Sequence, residues 1–237
     1  MKRILLTGRN GQVGWELERT LAPLGEVLAF DRKGFDLAEP DEICHSLREL
    51  KPDIIVNAAA YTAVDRAEAE SDMAMAINAT APGIMAEEAR RLGALLVHYS
   101  TDYVFDGAKS APYTEEDATG PVNTYGRSKL AGERAIWESG CRHLIFRTSW
   151  VYGTRGGNFL RTILRLAAER DELRVVDDQI GAPTWCRMIA EASSLALARP
   201  DVPVGLYHLA GSGETSWFGF ARAILKLSQT ERKPALL

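Results

Sequence analysis

The chain has 237 residues, 46% hydrophobic and 25% charged, with a formal net charge of −4, the make-up of one ordinary globular domain or one domain with a small appendage. A mildly acidic balance without a basic cluster gives nucleic acid no footing, and no apolar run reaches membrane-spanning length. No charged-then-apolar leader precedes the first strand, and Cys44, Cys141 and Cys186 are odd in number and far apart, so reduced thiols in a cytoplasmic protein are expected.

The first apolar run predicts a strand over 3–6, and amphipathic spacing predicts a helix over 13–21. Between them stands Thr7-Gly8-Arg9-Asn10-Gly11-Gln12-Val13-Gly14. At a strand-to-helix turn Gly8 allows the tight bend, Gly11 the close approach of a pyrophosphate, and Gly14 close helix–sheet packing. The helix N-terminus then offers N–H groups and a positive dipole end to phosphate. Asn10, Gln12 and Val13 belong to the same candidate dinucleotide-binding turn.

A second strand over 27–30 ends at Asp31, whose carboxylate suits adenosine ribose hydroxyls and favours NAD; Arg32 beside it suits a 2′-phosphate and NADP. Asp36 and Leu37 follow, at the expected adenine end. After a helix over 41–50, a third strand over 54–57 runs into Ala58, Ala59 and Ala60. These small side chains let a cofactor lie against the backbone, or else serve close helix–strand packing. A helix over 72–92 and a strand over 95–100 lead to Thr101, whose hydroxyl is placed to donate to a substrate carbonyl.

On the helix expected over 125–139, Tyr125 and Lys129 are four apart and share a face. A tyrosine is a poor acid–base group near neutrality; a nearby ammonium and a cationic nicotinamide are expected to pull its pKa down. Beyond lie strands over 144–148, 174–176 and 206–209 and a helix over 158–169. The βαβα rhythm predicts a doubly wound parallel α/β sheet, a Rossmann fold. Residues 1–157 form the expected dinucleotide-binding domain, and 158–237 a mixed region of returning sheet elements plus a smaller C-terminal substrate lobe. His45, His98, His143 and His208 share no ligand-like spacing, so no metal is expected. Ser149-Trp150 and Thr184-Trp185 read as aromatic loops, Trp137 and Trp217 as core or helix-face residues.

These blocks, together with 57–65 (Asn-Ala-Ala-Ala-Tyr-Thr-Ala-Val-Asp), 100–107 (Ser-Thr-Asp-Tyr-Val-Phe-Asp-Gly), 147–153 and 178–184, resemble the extended short-chain dehydrogenase/reductase family, specifically its members that reduce dTDP-keto-sugars. The resemblance implies NADPH or NADH as cofactor and reduction of the C4 keto group of dTDP-4-dehydro-L-rhamnose to dTDP-L-rhamnose, the last step of that synthesis. It implies a triad of Thr101, Tyr125 and Lys129, with Tyr125 donating a proton to O4 and Lys129 also holding the nicotinamide ribose. Thr62, Val64, Asp102, Tyr103 and Trp150 would line the sugar pocket, Asn78 would support the lysine through water, and Thr148 would help the cofactor end.

Two departures stand out. Members usually continue further, with an arginine–proline and asparagine–serine segment near the nucleotide, which this sequence lacks, so a truncated substrate lobe is expected. Some form a metal-bridged homodimer through acidic residues; Glu16 matches one, but Arg187-Met188 stand where its partner is expected. The alternatives are a non-catalytic, cofactor-binding partner of methionine adenosyltransferase, and a reductase or epimerase of another nucleotide keto-sugar.

Overall fold

The structure, a computed structural model, describes residues 1–199, 201, 204–228 and 234–237. In chain order the elements are β1 (Lys2–Thr7), α1 (Gln12–Thr20), β2 (Gly25–Phe30), α2 (Pro40–Leu50), β3 (Ile54–Asn57), α3 (Val64–Ala67), α4 (Ser71–Met75), α5 (Ala81–Leu92), β4 (Leu95–Thr101), α6 (Thr124–Ser139) and β5 (Arg142–Thr148). Then come β6 (Val151–Tyr152), α7 (Phe159–Glu169), β7 (Glu172–Leu173), β8 (Ile180–Gly181), β9 (Thr184–Trp185), α8 (Cys186–Ala198), β10 (Gly205–His208), β11 (Thr215–Ser216), α9 (Trp217–Leu227) and β12 (Ala235–Leu236).

The strands of the main sheet are apolar without alternation because both faces are covered. Leu5, Ile55, Leu96 and Ile145 pack on one side against Ile43 and Leu47 of α2, Met85 of α5 and Ile136 of α6. Ile4, Leu6, Val56, Val97 and Leu144 pack on the other against Leu17 of α1 and Ile189 and Ala190 of α8. Each fully buried Leu or Ile contributes roughly 1.5–3 kcal/mol, so these two layers hold the domain together. The sheet has six strands in the order β10-β5-β4-β3-β1-β2, all parallel. This is the doubly wound α/β architecture, and its order reverses between β1 and β3, where such sheets open a crevice beyond their carboxyl ends.

Two expected elements differ. The helix over 72–92 is interrupted: a π-helical turn, Ala76–Thr80, separates α4 from α5. The wider turn brings Asn78 into two hydrogen bonds with the Tyr61 backbone and one with Ser128 Oγ, bonds that offset the irregular helix geometry. The strand over 174–176 does not form. Pairing occurs instead at Glu172–Leu173, against Ala235–Leu236, because Leu173 is the buried apolar anchor while Val176 is half exposed. Beyond Asn158 the chain does two things: α8 and β10 return to the main layers, while α7, α9 and β7 build a separate small cluster around Ile163, Leu173 and Ile224.

Helices α2 and α5 are also clamped by charge. Glu88, almost fully buried, accepts from Arg48 Nε and Nη2 at 3.0 and 2.6 Å and from Arg91 Nη1 at 2.6 Å. The Arg48 bonds come first among the causes that hold its carboxyl below the ordinary 4.5. A lowered folded pKa means the contribution is complete above 4.5 and is lost as pH falls through the folded value. Urea unfolding of wild type and Glu88→Gln is therefore expected to differ most near neutrality and to converge in acid. A difference that stays constant would exclude the carboxylate as the source.

Candidate active site

The crevice at the switch point is a cavity of about 690 Å³. The turn after β1 forms its floor. Gly8 has φ +75°, and a Cβ on Gly14 would overlap the Gly8 carbonyl oxygen, so helix α1 sits as close to the turn as only glycine permits. Asn10, Gly11, Gln12 and Val13 border the same cavity, as do Ala58, Ala59 and Ala60 after β3. Tyr125 and Lys129 close its far end. The structure thus brings all the residues expected at a dinucleotide around one space.

The carboxylates at the near end are already engaged. Asp31 accepts from the Lys33 and Gly34 N–H groups at 3.0 and 3.3 Å and from Asn10 Nδ2 at 3.1 Å; the Gly34 bond is the largest cause of its lowered pKa. Asp36 accepts from Ala38 N–H at 3.0 Å and from Arg32 Nε at 3.1 Å, so Arg32 and Asp36 form a clasp at the mouth. Leu37 is buried beneath them. The fit to a dinucleotide is supported deeper in: Thr148 borders the cavity, and its hydroxyl is buried without a hydrogen-bond partner among the described residues, a group that a ligand hydroxyl or amide would satisfy.

At the far end, α6 starts where its sequence provides a cap: the Asn123 side chain accepts from Gly126 N–H at 2.7 Å. Glu68 accepts from both the N–H and the hydroxyl of Thr124. The first turn is thereby pinned, and with it Tyr125. Burial pushes the Tyr125 phenol up to about 12, partly opposed by its hydrogen bond with Thr101, which ends β4. The expected lowering of that pKa by Lys129 is corrected here. The Lys129 ammonium is occupied by the Tyr99 carbonyl at 2.7 Å and His98 Nε2 at 3.1 Å, and desolvation of the phenolate dominates. Burial also lowers Lys129 to about 8, with the Glu133 carboxylate opposing.

The expected sugar-pocket residues divide. Thr62 borders the cavity. Asp102 accepts from the Thr101 hydroxyl at 3.1 Å, and burial raises its carboxyl. Tyr103 packs edge-on against Tyr125, ring centroids 5.5 Å apart, and Val64 opens α3. None of these three borders the cavity itself. Trp150 lies apart, at φ +47°, a strained backbone for a large residue, stacked on Trp217 at 3.6 Å. Glu16 pairs with Arg187 at 3.1 Å, and no metal-binding cluster occurs among the described residues.

A family model described as the RmlD substrate binding domain matches residues 1–236. The chain belongs to this family. It is 53% identical over 230 residues to the dTDP-4-dehydrorhamnose reductase of Burkholderia thailandensis, covering 94% of this chain and 77% of that protein. It is 50% identical over 242 residues to the enzyme of the same name from Escherichia coli K12, covering 99% and 81%. A crystal structure of dTDP-4-dehydrorhamnose reductase from Bacillus anthracis in complex with NADP superposes with a TM-score of 0.94 at 38% identity, over 100% of this chain and 84% of that one.

Beside the cavity lie buried polar groups that were not expected as site residues from the sequence. Thr7 Oγ1, the Asn57 amide and His98 Nδ1 follow one another at 2.8 and 3.2 Å. Glu133 is bound by Arg147 at 3.0 and 2.6 Å and by Ser100. The available signal was register: Thr7 and Asn57 end β1 and β3, and His98 follows the apolar Leu95–Val97 in β4.

Proposed function

We propose that this chain catalyses NAD(P)H-dependent reduction of the C4 keto group of dTDP-4-dehydro-L-rhamnose, giving dTDP-L-rhamnose. The observation that carries the reading is that Tyr125 and Lys129 border the same cavity as the glycine turn after β1. The sugar is taken from the relatives that bear that enzyme's name.

When bound, the reduced nicotinamide supplies the hydride. Thr101 and Tyr125 orient the keto oxygen, and Tyr125 delivers its proton there. Reduction must begin from the neutral phenol, and a tyrosine raised to about 12 is held in that form at neutral pH. Lys129, fully buried, keeps an N–H toward the cavity for the nicotinamide ribose and for the phenolate left after transfer. Arg32 is the group for a 2′-phosphate, and Asp31 the group for a free ribose. Asp102, Tyr103 and Val64 form the sugar-facing wall, which the cluster of α7 and α9 completes as a lobe. Cys44, Cys141 and Cys186 are free thiols, which suits a cytoplasmic enzyme.

A regulatory subunit would need neither Tyr125 at the cavity nor a buried Lys129, and both are present. The test is oxidation of NADPH and NADH with enzymatically generated dTDP-4-dehydro-L-rhamnose, followed by identification of the product. Turnover to dTDP-L-rhamnose is expected. Intact cofactor binding without turnover would refute the reading.

A further inference from the structure

Thr7, Asn57 and His98 stand side by side in the register of β1, β3 and β4, and Lys129 of α6 lies over the end of the row. All four are 1% exposed. Four polar side chains in one dry layer are costly unless each bond is made, and the bonds run in a single file: Thr7 to Asn57, Asn57 to His98 Nδ1, His98 Nε2 to Lys129 Nζ. The file ends at a residue that borders the cavity.

We propose that His98 is a positioning residue for Lys129: its neutral ring accepts one ammonium proton at Nε2, the Tyr99 carbonyl accepts a second, and the third is thereby aimed into the cavity. The chemistry of the file sets the tautomer. A ring that accepts at Nε2 carries its proton on Nδ1; the structure has the Thr7 hydroxyl on Asn57 Oδ1 and Asn57 Nδ2 facing His98 Nδ1, so the proposal requires the near-isosteric amide to be turned over, oxygen to His98 and nitrogen to Thr7. The opposite orientation puts the ring proton on Nε2 and requires Lys129 to accept as a free amine. Burial and the neighbouring ammonium hold His98 well below its ordinary pKa, in keeping with a neutral ring. A neutral acceptor fixes the direction of the ammonium without cancelling its charge, which a carboxylate at the same place would do.

The inference rests on the reductase reading for its kinetic arm only. In the full chain labelled with 15N-histidine, and with the His98 signals assigned by their loss in His98→Gln, the ring is expected as the neutral Nδ1–H tautomer. An Nε2–H tautomer, or a ring that titrates near its ordinary value, overturns the proposal. In turnover, His98→Leu removes the acceptor and is expected to lower kcat by about 10²-fold through misplacement of Lys129, with sugar KM within a few-fold. His98→Gln restores an acceptor oxygen and is expected to recover most of that loss. In a Lys129→Ala background His98→Leu is expected to cost nothing further. Equal losses in the Leu and Gln variants, or additive losses with Lys129→Ala, overturn the positioning role, and if His98→Leu does not fold the tautomer and the Gln variant still decide. Absence of wild-type turnover would remove the reductase reading and leave the tautomer to judge His98.

Discussion

Tyr125→Phe is expected to lower kcat by about 10²–10⁴-fold, the usual contribution of a positioned proton donor, while the affinity for NADPH stays within a few-fold. The substitution removes one oxygen. The ring keeps its edge contact with Tyr103 and its place in the first turn of α6, capped by Asn123. What disappears is the phenolic proton that the proposed reduction delivers to the keto oxygen. On the free-energy scale this is about 3–5 kcal/mol of transition-state stabilisation. The pH dependence carries a sign of its own. Burial raises Tyr125 to about 12, so the donor stays protonated through neutrality, and the tyrosine imposes no fall in reductive rate until strongly alkaline pH. Cofactor binding by fluorescence titration and single-turnover kinetics separate the two quantities. A variant that turns over at the wild-type rate would remove Tyr125 from the proton-transfer role.

The fold was legible because its determinants are periodic. β1, β3 and β4 each carry an apolar run, Ile4–Leu6, Ile54–Val56 and Leu95–Val97, and β3 forms over the very residues the sequence marks, Ile54–Asn57. The cofactor turn was legible because backbone geometry restricts it: no residue but glycine fits at 8 and 14. Helix α8 was harder to read because small residues such as Ala190 and Ser193 share its buried face with Ile189 and Leu197, which blurs a 3.6-residue period. The π turn at Asn78 was hidden for a different reason. Its stability comes from Tyr61 and Ser128, distant in sequence, and no local propensity encodes it. The same holds for the electrostatics of the site. Spacing places Tyr125 and Lys129 on one face, but the ammonium is drawn to His98 and Tyr99 on a neighbouring strand, a preference set by tertiary packing.

The second large effect is on stability and falls on Glu133, one turn beyond Lys129. Its carboxylate accepts from Arg147 Nε and Nη2 and from the Ser100 hydroxyl, and the side chains of the ion pair are only 5% and 7% exposed. Such a pair gains little over an apolar replacement, but breaking it strands a desolvated charge. Glu133→Gln is therefore expected to cost about 3–5 kcal/mol, or roughly 6–20 °C in Tm for a chain of this size. Arg147 already has one buried nitrogen, Nη1, without a partner among the described residues, so no spare bond compensates. Replacing both residues, as Glu133→Leu with Arg147→Met, is expected to recover most of the loss, because the uncompensated charge is then gone. Thermal unfolding of the single and double variants by circular dichroism measures both quantities. A single variant that loses less than about 1 kcal/mol, the range of exposed pairs, would mean that water reaches the guanidinium. The pair would then not be what fastens α6 to the ends of β4 and β5, and the placement of Tyr125 and Lys129 would have to rest on the cap at Asn123 and the apolar contacts of Ile136.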